Sequence, residues 1–258
     1  MKELLLPSRI KKHLSGLQYS QNNVGCSQAK VYRFYSETEV RYLKVEPTSG
    51  ELKKEYENLL WMNDKLPVPR ILEWVSEEET DYLLMTEIGG RMLCDEEYLR
   101  NPLLAVSVLA EGINLLRSID INTCPLNNNL SRKLKNAELN IRNNKVDMED
   151  WEPENNQFAN PQDLLHYLES NQPKKEELVF SHGDYCLPNI FADGRRLTGF
   201  IDLGRAGVGD LWQDVALCMR SLWHNFNTRQ YDDLLLQQIG IALNQEKLDY
   251  YILLDELF

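Results

Sequence analysis

At 258 residues, with 43% hydrophobic and 26% charged side chains, the chain can form one large domain or two lobes. No apolar run approaches the roughly 18–20 residues that cross a bilayer, and MKELLLP at positions 1–7 is too short for a signal-peptide core, which points to the cytoplasm. The net charge of −12 is uneven, with 12 Lys and Arg against 14 Asp and Glu in residues 1–90 but 16 against 26 in residues 91–258. That field disfavours nucleic acid and anionic membranes as partners and favours a cationic ligand.

In chain order, residues 30–35 and 39–45 alternate apolar and polar side chains, as half-buried strands do. Residues 51–65 read as a helix with a stripe of Leu52, Tyr56, Leu59 and Leu60, stopped by Leu66-Pro-Val-Pro69. Residues 71–75 and 81–86 form two more strands around the acidic turn Glu77-Glu-Glu79, and Gly89-Gly90 then breaks the pattern. Helices follow at 102–118 and 130–143, the second with Leu130, Leu134, Ala137 and Ile141 on one face. Short apolar strands return at 178–180 and 197–201, and helices at 211–223, 228–239 and 245–257 close the chain. The order predicts an α+β, bilobal molecule: a β-rich lobe over 1–88, a mainly helical lobe over 89–258, and a ligand cleft between them. The five cysteines are scattered, without Cys-x-x-Cys or zinc spacing, and read as reduced thiols.

Chemistry concentrates in residues 181–205, SHGDYCLPNIFADGRRLTGFIDLGR. Asp184 follows His-Gly and precedes Asn189 by five positions; Asp202 closes an apolar run and opens Asp-Leu-Gly. Phosphoryl transfer uses that spacing: one carboxylate orients the attacking hydroxyl, while an amide and a second carboxylate hold Mg²⁺ against the nucleotide phosphates. The polyphosphate also needs a cation. Lys44 ends an apolar strand, and the helical wheel puts Glu55 inside the apolar stripe of the next helix while Glu57 points away. A carboxylate on a buried face needs a counter-charge, so Lys44 is expected to pair with Glu55. The segment 22–30 has a single glycine in place of Gly-x-Gly-x-x-Gly; Ser27 is its candidate phosphate ligand, and a plain hairpin turn is the alternative. Near the chain end Leu248, Tyr251, Ile252 and Asp255 share a helical face, which aims Asp255 inward toward a cation unless the end frays into solvent.

The stretches CSQAKVY, YLKV, KLPVPRIL, LLMTE, RSIDI, ELVFSHGD, GFIDLGRAG and YYILLDELF span nearly the whole chain. On them it resembles the aminoglycoside 3′-phosphotransferase family, protein-kinase-like in fold, and is most similar to the type III members. The resemblance implies transfer of the γ-phosphate of ATP, with GTP as the alternative donor, to a hydroxyl of a cationic aminoglycoside, here the 3′ one. It implies Asp184 at the acceptor hydroxyl, Asn189 and Asp202 on Mg²⁺, and Lys44 on the phosphates, fixed by Glu55. Tyr42 would stack on adenine, and the backbone of Thr86 and Ile88 would meet the base edge. Glu149, Glu152, Asp255, Glu256 and the carboxylate of Phe258 would receive the antibiotic's ammonium groups, with Arg205 in the same pocket. A monomer or weak dimer is expected. The chain departs from the type III pattern at Leu187 and His224-Asn225, where that pattern is acidic, and Pro153 interrupts the acidic segment; these changes bear on the range of antibiotics. The rival readings are a kinase of the same fold acting on choline, a macrolide or a sugar, and a silent nucleotide-binding module.

Overall fold

Two compact units divide the chain, Met1–Gly90 with Thr198–Gly204, and Arg91–Leu197 with Arg205–Phe258. The computed structural model describes residues 5–22, 29–48, 50–151 and 157–258. The first unit holds the helix α1 (Ser8–Leu14) and an antiparallel sheet of β1 (Gln18–Asn22), β2 (Lys30–Tyr35), β3 (Val40–Pro47), β4 (Ile71–Glu77) and β5 (Thr80–Thr86), in the order β1-β2-β3-β5-β4. Period-two alternation gives the sheet two faces. Tyr32, Phe34, Leu43, Val75 and Leu84 point to one face and enclose Ile10 and Leu14 of α1. The intervening residues point to the other. Lys44 sits directly opposite Leu83 of β5 and therefore shares its face, against which α2 (Glu51–Met62) packs.

The helix α2 buries Leu52, Glu55, Asn58, Leu59 and Met62. Leu60, expected in the apolar stripe, is 56% exposed, because the buried stripe follows the 52–55–59–62 rows and leaves position 60 at its edge. The helix stops three residues earlier than its composition suggests, where the N–H groups of Lys65 and Leu66 both turn back to the Met62 carbonyl.

β9 (Arg196–Phe200) runs into the first unit at Thr198. There the Phe200 N–H donates to the Pro67 carbonyl and the Thr198 hydroxyl donates to the Gly89 carbonyl. A Cβ on Gly199 would lie 2.7 Å from the Pro67 oxygen and 2.9 Å from Ile88 Cγ2, so only glycine lets this strand seat.

The second unit is built on helices: α3 (Glu96–Leu99), α4 (Pro102–Arg117), α5 (Leu130–Arg142), α6 (Pro161–Ser170), α7 (Leu211–Phe226), α8 (Asp232–Ile239) and α9 (Gln245–Asp255). Asparagine side chains cap α4, α5, α6 and α9 by accepting N–H groups of the first turn, at Asn101, Asn129, Asn160 and Asn244. Asp210 caps α7 and also accepts from Lys247 at 2.6 Å and from the Tyr251 hydroxyl at 3.1 Å, tying α9 to the start of α7. The helix expected over 228–239 begins at Asp232, because the Thr228 hydroxyl holds the preceding residues in a turn by accepting the Gln230 N–H. Short strands complete the unit: β7 (Leu178–Ser181) pairs antiparallel with β10 (Gly207–Asp210), and β6 (Arg91–Met92) with β8 (Ile190–Asp193). Among the described residues no helix is long and apolar enough to cross a membrane, and the described cysteines are free thiols. The result is the α+β architecture expected from the sequence, with β1, α1, α3, α6, β6, β8 and β10 added.

Replacing Gly199 by Ala should destabilise the protein by about 1–3 kcal/mol through overpacking against Pro67 and Ile88. The check is the midpoint of urea unfolding, which should fall with an unchanged slope.

Candidate active site

In the first unit the site is built around one ammonium group. Strand alternation brings Lys44 to the face that meets α2, and the helical wheel brings Glu55 to the same place. Lys44 Nζ donates to Glu55 Oε1 at 2.8 Å and to Oε2 at 2.7 Å, the pairing expected from the sequence. It also donates to Asp202 Oδ1 at 3.3 Å. Burial alone would pull the lysine pKa down; Glu55, then Asp202, outweigh it and hold the ammonium charged well above the ordinary lysine range.

Asp202 takes a left-handed backbone, φ 60°, unusual for a residue with a side chain. The turn after it is fixed by Asn58, whose amide donates to the Leu203 carbonyl at 2.7 Å and to that of Gly204 at 3.3 Å. Asp202 itself stays half exposed, at 52%, open to a ligand. Tyr42 is half-buried on β3, opposite Met85. The Thr86 N–H donates to the Arg70 carbonyl and its hydroxyl accepts the Arg70 N–H, so the Thr86 N–H is already used within the unit. Ile88 is half-buried just beyond. Ser27 lies outside the described residues.

In the second unit β7 delivers His182-Gly183-Asp184. Gly183 has φ 86°, and a Cβ there would lie 2.1 Å from the Arg205 carbonyl oxygen; close approach and conformation both require glycine. The amide of Asn189 donates to Asp184 Oδ2 at 2.9 Å and to the Asp184 carbonyl at 3.0 Å, so the five-residue spacing closes a ring that aims the carboxylate. With its nitrogen used this way, Asn189 keeps its amide oxygen for other ligands.

A residue that the sequence reading missed holds this loop. Asp214, buried on α7, accepts from the Ser181 hydroxyl at 2.9 Å, the His182 N–H at 2.8 Å and the Gly183 N–H at 3.0 Å. Burial pushes its carboxyl upward, while His182 and these donors pull it back. Its neighbour Gln213 donates to the Gly183 carbonyl at 3.0 Å. The signal was present: Asp214 stands within the buried run Leu211–Met219 of α7, the same anomaly that singles out Glu55.

The C-terminal segment is ordered by packing rather than frayed. The Trp151 indole N–H donates to the Glu256 carbonyl and the Asn140 amide to that of Leu257, each at 2.9 Å. Asp255 points inward as expected, its side chain 12% exposed, but cations of the chain already meet it. Arg220, also missed from sequence, donates to its Oδ2, and Arg205 stands 3.7 Å from Oδ1. Arg220 and then Arg205 hold the Asp255 carboxyl below the usual range against the effect of burial. Arg205 also lies over the Phe258 ring, 5.1 Å from its centroid. Glu256 is buried, Glu149 is exposed on a short 3₁₀ turn, and Glu152 and Pro153 lie outside the described residues. Leu187, at a position acidic in the type III pattern, is fully buried, while His224 and Asn225 are exposed.

A lysine–glutamate pair and an aspartate–asparagine loop are the working parts of a phosphoryl-transfer enzyme. The family model described as "Phosphotransferase enzyme family" matches residues 18–250. Aminoglycoside 3′-phosphotransferases from Enterococcus faecalis and Staphylococcus aureus are 39% and 38% identical to the chain over its whole length and theirs. The crystal structure of a type VIII aminoglycoside 3′-phosphotransferase superposes with a TM-score of 0.87 at 30% identity, covering 96% of each chain. An aminoglycoside phosphotransferase from Streptomyces rimosus, solved with ADP and streptomycin, shares the fold at TM-score 0.80 and 24% identity over 93% of this chain and 92% of its own. The chain belongs to the phosphotransferase enzyme family, as a relative of the aminoglycoside 3′-phosphotransferases.

Replacing Asp214 by Asn keeps the shape but removes the charge that three donors share. Stability should fall by about 2–4 kcal/mol, as charge-assisted bonds weaken and one loop donor loses its acceptor. Chemical denaturation measures this, and a loss below about 1 kcal/mol on the same scale would show that the loop holds itself.

Proposed function

We propose that the protein transfers the γ-phosphate of ATP to the 3′ hydroxyl of aminoglycoside antibiotics and so confers resistance to them. The observation that carries the reading is the Asp184–Asn189 ring in a chain alike from end to end to enzymes of that name.

Asp184 accepts or orients the hydroxyl proton. Asn189 keeps the carboxylate turned toward the acceptor, and Asp214 keeps the loop that bears it from shifting. Transfer is direct, since the motif supplies no activated Ser, Cys or His nucleophile. Lys44 contacts the α- and β-phosphates and Glu55 aims it. The Tyr42 ring stacks on adenine, while the Thr86 carbonyl and the Ile88 N–H meet the base edge.

The residues present fit Mg²⁺. The donors are hard oxygens, the Asn189 amide oxygen and the half-exposed Asp202 carboxylate. Among the described residues no cluster of three or more His, Cys, Asp or Glu could hold a metal alone. Magnesium commonly takes one or two protein carboxylates and completes its shell with phosphate and water. Asn189 and Asp202 would hold it, and it would neutralise charge on the phosphates.

Replacing Asp184 by Ala should lower kanamycin-dependent ATP turnover by roughly 10²–10⁴-fold with nucleotide affinity nearly intact. More than about a tenth of the activity remaining would sink the assignment. A panel of aminoglycosides with product analysis identifies the hydroxyl modified; turnover with choline or a macrolide alone would replace the acceptor class.

Lys44→Ala should weaken nucleotide binding, Glu55→Ala less so, and the double variant little more than Lys44→Ala alone, because the pair acts as one unit. Additive losses in a nucleotide titration would show that the two act separately.

A further inference from the structure

The C-terminal residue Phe258 packs beside a cation that the proposed function does not use. Lys133 of α5 is 2% exposed, on a helix face otherwise buried through Leu130, Leu134 and Ala137. A buried ammonium group is normally hydrogen-bonded or paired; Lys133 Nζ makes no hydrogen bond to another described group and, unlike Asp255 Oδ1, is not wholly sealed from solvent. It lies 5.1 Å from the centroid of the Phe258 ring, the ring that Arg205 also covers at 5.1 Å. Asp255 stands nearby with one oxygen on Arg220. Its other oxygen, Oδ1, is buried without a hydrogen bond, with the Arg205 guanidinium 3.7 Å away. Three cations of the chain thus share the field of one buried carboxylate.

We propose that Lys133 tunes the affinity for the aminoglycoside as a resident ammonium, competing with an ammonium of the substrate for the field of Asp255. The inference rests on the function proposed above. An incoming ammonium directed at Oδ1 meets the positive charge of Lys133 as well as the attraction of Asp255. No hydrogen bond to another described group holds the Lys133 proton, so the repulsion is relieved by releasing it.

The charged groups facing Lys133 are Asp255 on α9, Arg205, Asp214 on α7 and Asp184 in the loop. On α6, also packed against α5, Asp163, His166 and Glu169 are all exposed. Burial, the largest influence, brings Lys133 down to about 8 despite Asp255. The sign follows. Below that pH Lys133 is charged and opposes the substrate; above it the amine is neutral and does not. Affinity limited by the neutral fraction therefore rises with pH up to that point.

The test is calorimetric titration of the full chain with kanamycin, comparing native protein, Lys133→Met and Lys133→Arg. The antibiotic's own amines titrate alike in all three, so affinity ratios isolate residue 133. Lys133→Met should bind on the order of tenfold tighter than native at about pH 6.5, and the ratio should fall to about one by about pH 9.5. Lys133→Arg carries a charge that does not titrate in this range and should bind more weakly than native at the higher pH. Equal or weaker binding by Lys133→Met at the lower pH, with nucleotide binding intact, overturns the proposal, as does a ratio that does not change with pH.

Should Lys133→Met fail to fold, the native protein supplies the measurement. The Lys133 ¹³Cε resonance should move toward its neutral-amine position when kanamycin is added at about pH 7; a resonance that stays in place overturns the proposal. Native protein that binds no kanamycin at any pH while turning over another acceptor refutes the functional reading, and this proposal with it. That outcome differs from native and Lys133→Met binding kanamycin alike.

Discussion

A carboxylate carried into an apolar helix must find donors, and the active loop is built on how Asp214 finds them. Two backbone N–H groups and one hydroxyl converge on it from the segment Ser181–Gly183. The backbone just after β7 is therefore fixed by an interaction with no part in the chemistry. Gly183 allows the approach, since any side chain there would strike the Arg205 carbonyl. Asp184 follows with its position set, and Asn189 then sets its direction. The rigidity of the loop that carries Asp184 is thus supplied from behind it, by a residue of α7.

The first unit solves the same problem with opposite charges. Lys44 and Glu55 come from different elements, and each would be costly to bury alone. Together they are short-bonded and nearly enclosed. The third partner, Asp202, is half exposed on a left-handed turn, so its contact with Lys44 costs little to rearrange. The lysine thus has one enclosed partner and one exposed one.

Sequence patterns carried most of the first unit, because strand alternation and one amphipathic helix leave strong periodic signals. Lys44 and Glu55 could be matched from those signals alone, as polar residues at positions where apolar ones belong. The same reasoning applied to α7 would have found Asp214. Arg220 and Lys133 were harder, since arginine and lysine on helices are ordinary until tertiary packing covers them. The Asn160-Pro161 start of α6 was legible as a helix cap followed by proline at the first turn. Asp255 was read as aimed inward from its helical face, whereas its partners come from residues 35 and 50 positions away in sequence, beyond the reach of any local pattern.

The assignment of Thr198–Gly204 to the first unit has a consequence for synthesis of the chain. That unit is interrupted by Arg91–Leu197, so Thr198–Gly204, with Asp202, is made long after the residues it packs against. At roughly 5–20 residues per second, on the order of ten seconds separates the two pieces on the ribosome. During that interval the nascent sheet exposes the surface around Pro67 and Ile88 that Gly199 will cover, and Lys44 has Glu55 but not Asp202. The amino-terminal segment released alone would keep this incomplete surface, so the two units cannot be separated by one cut without leaving a gap in the first.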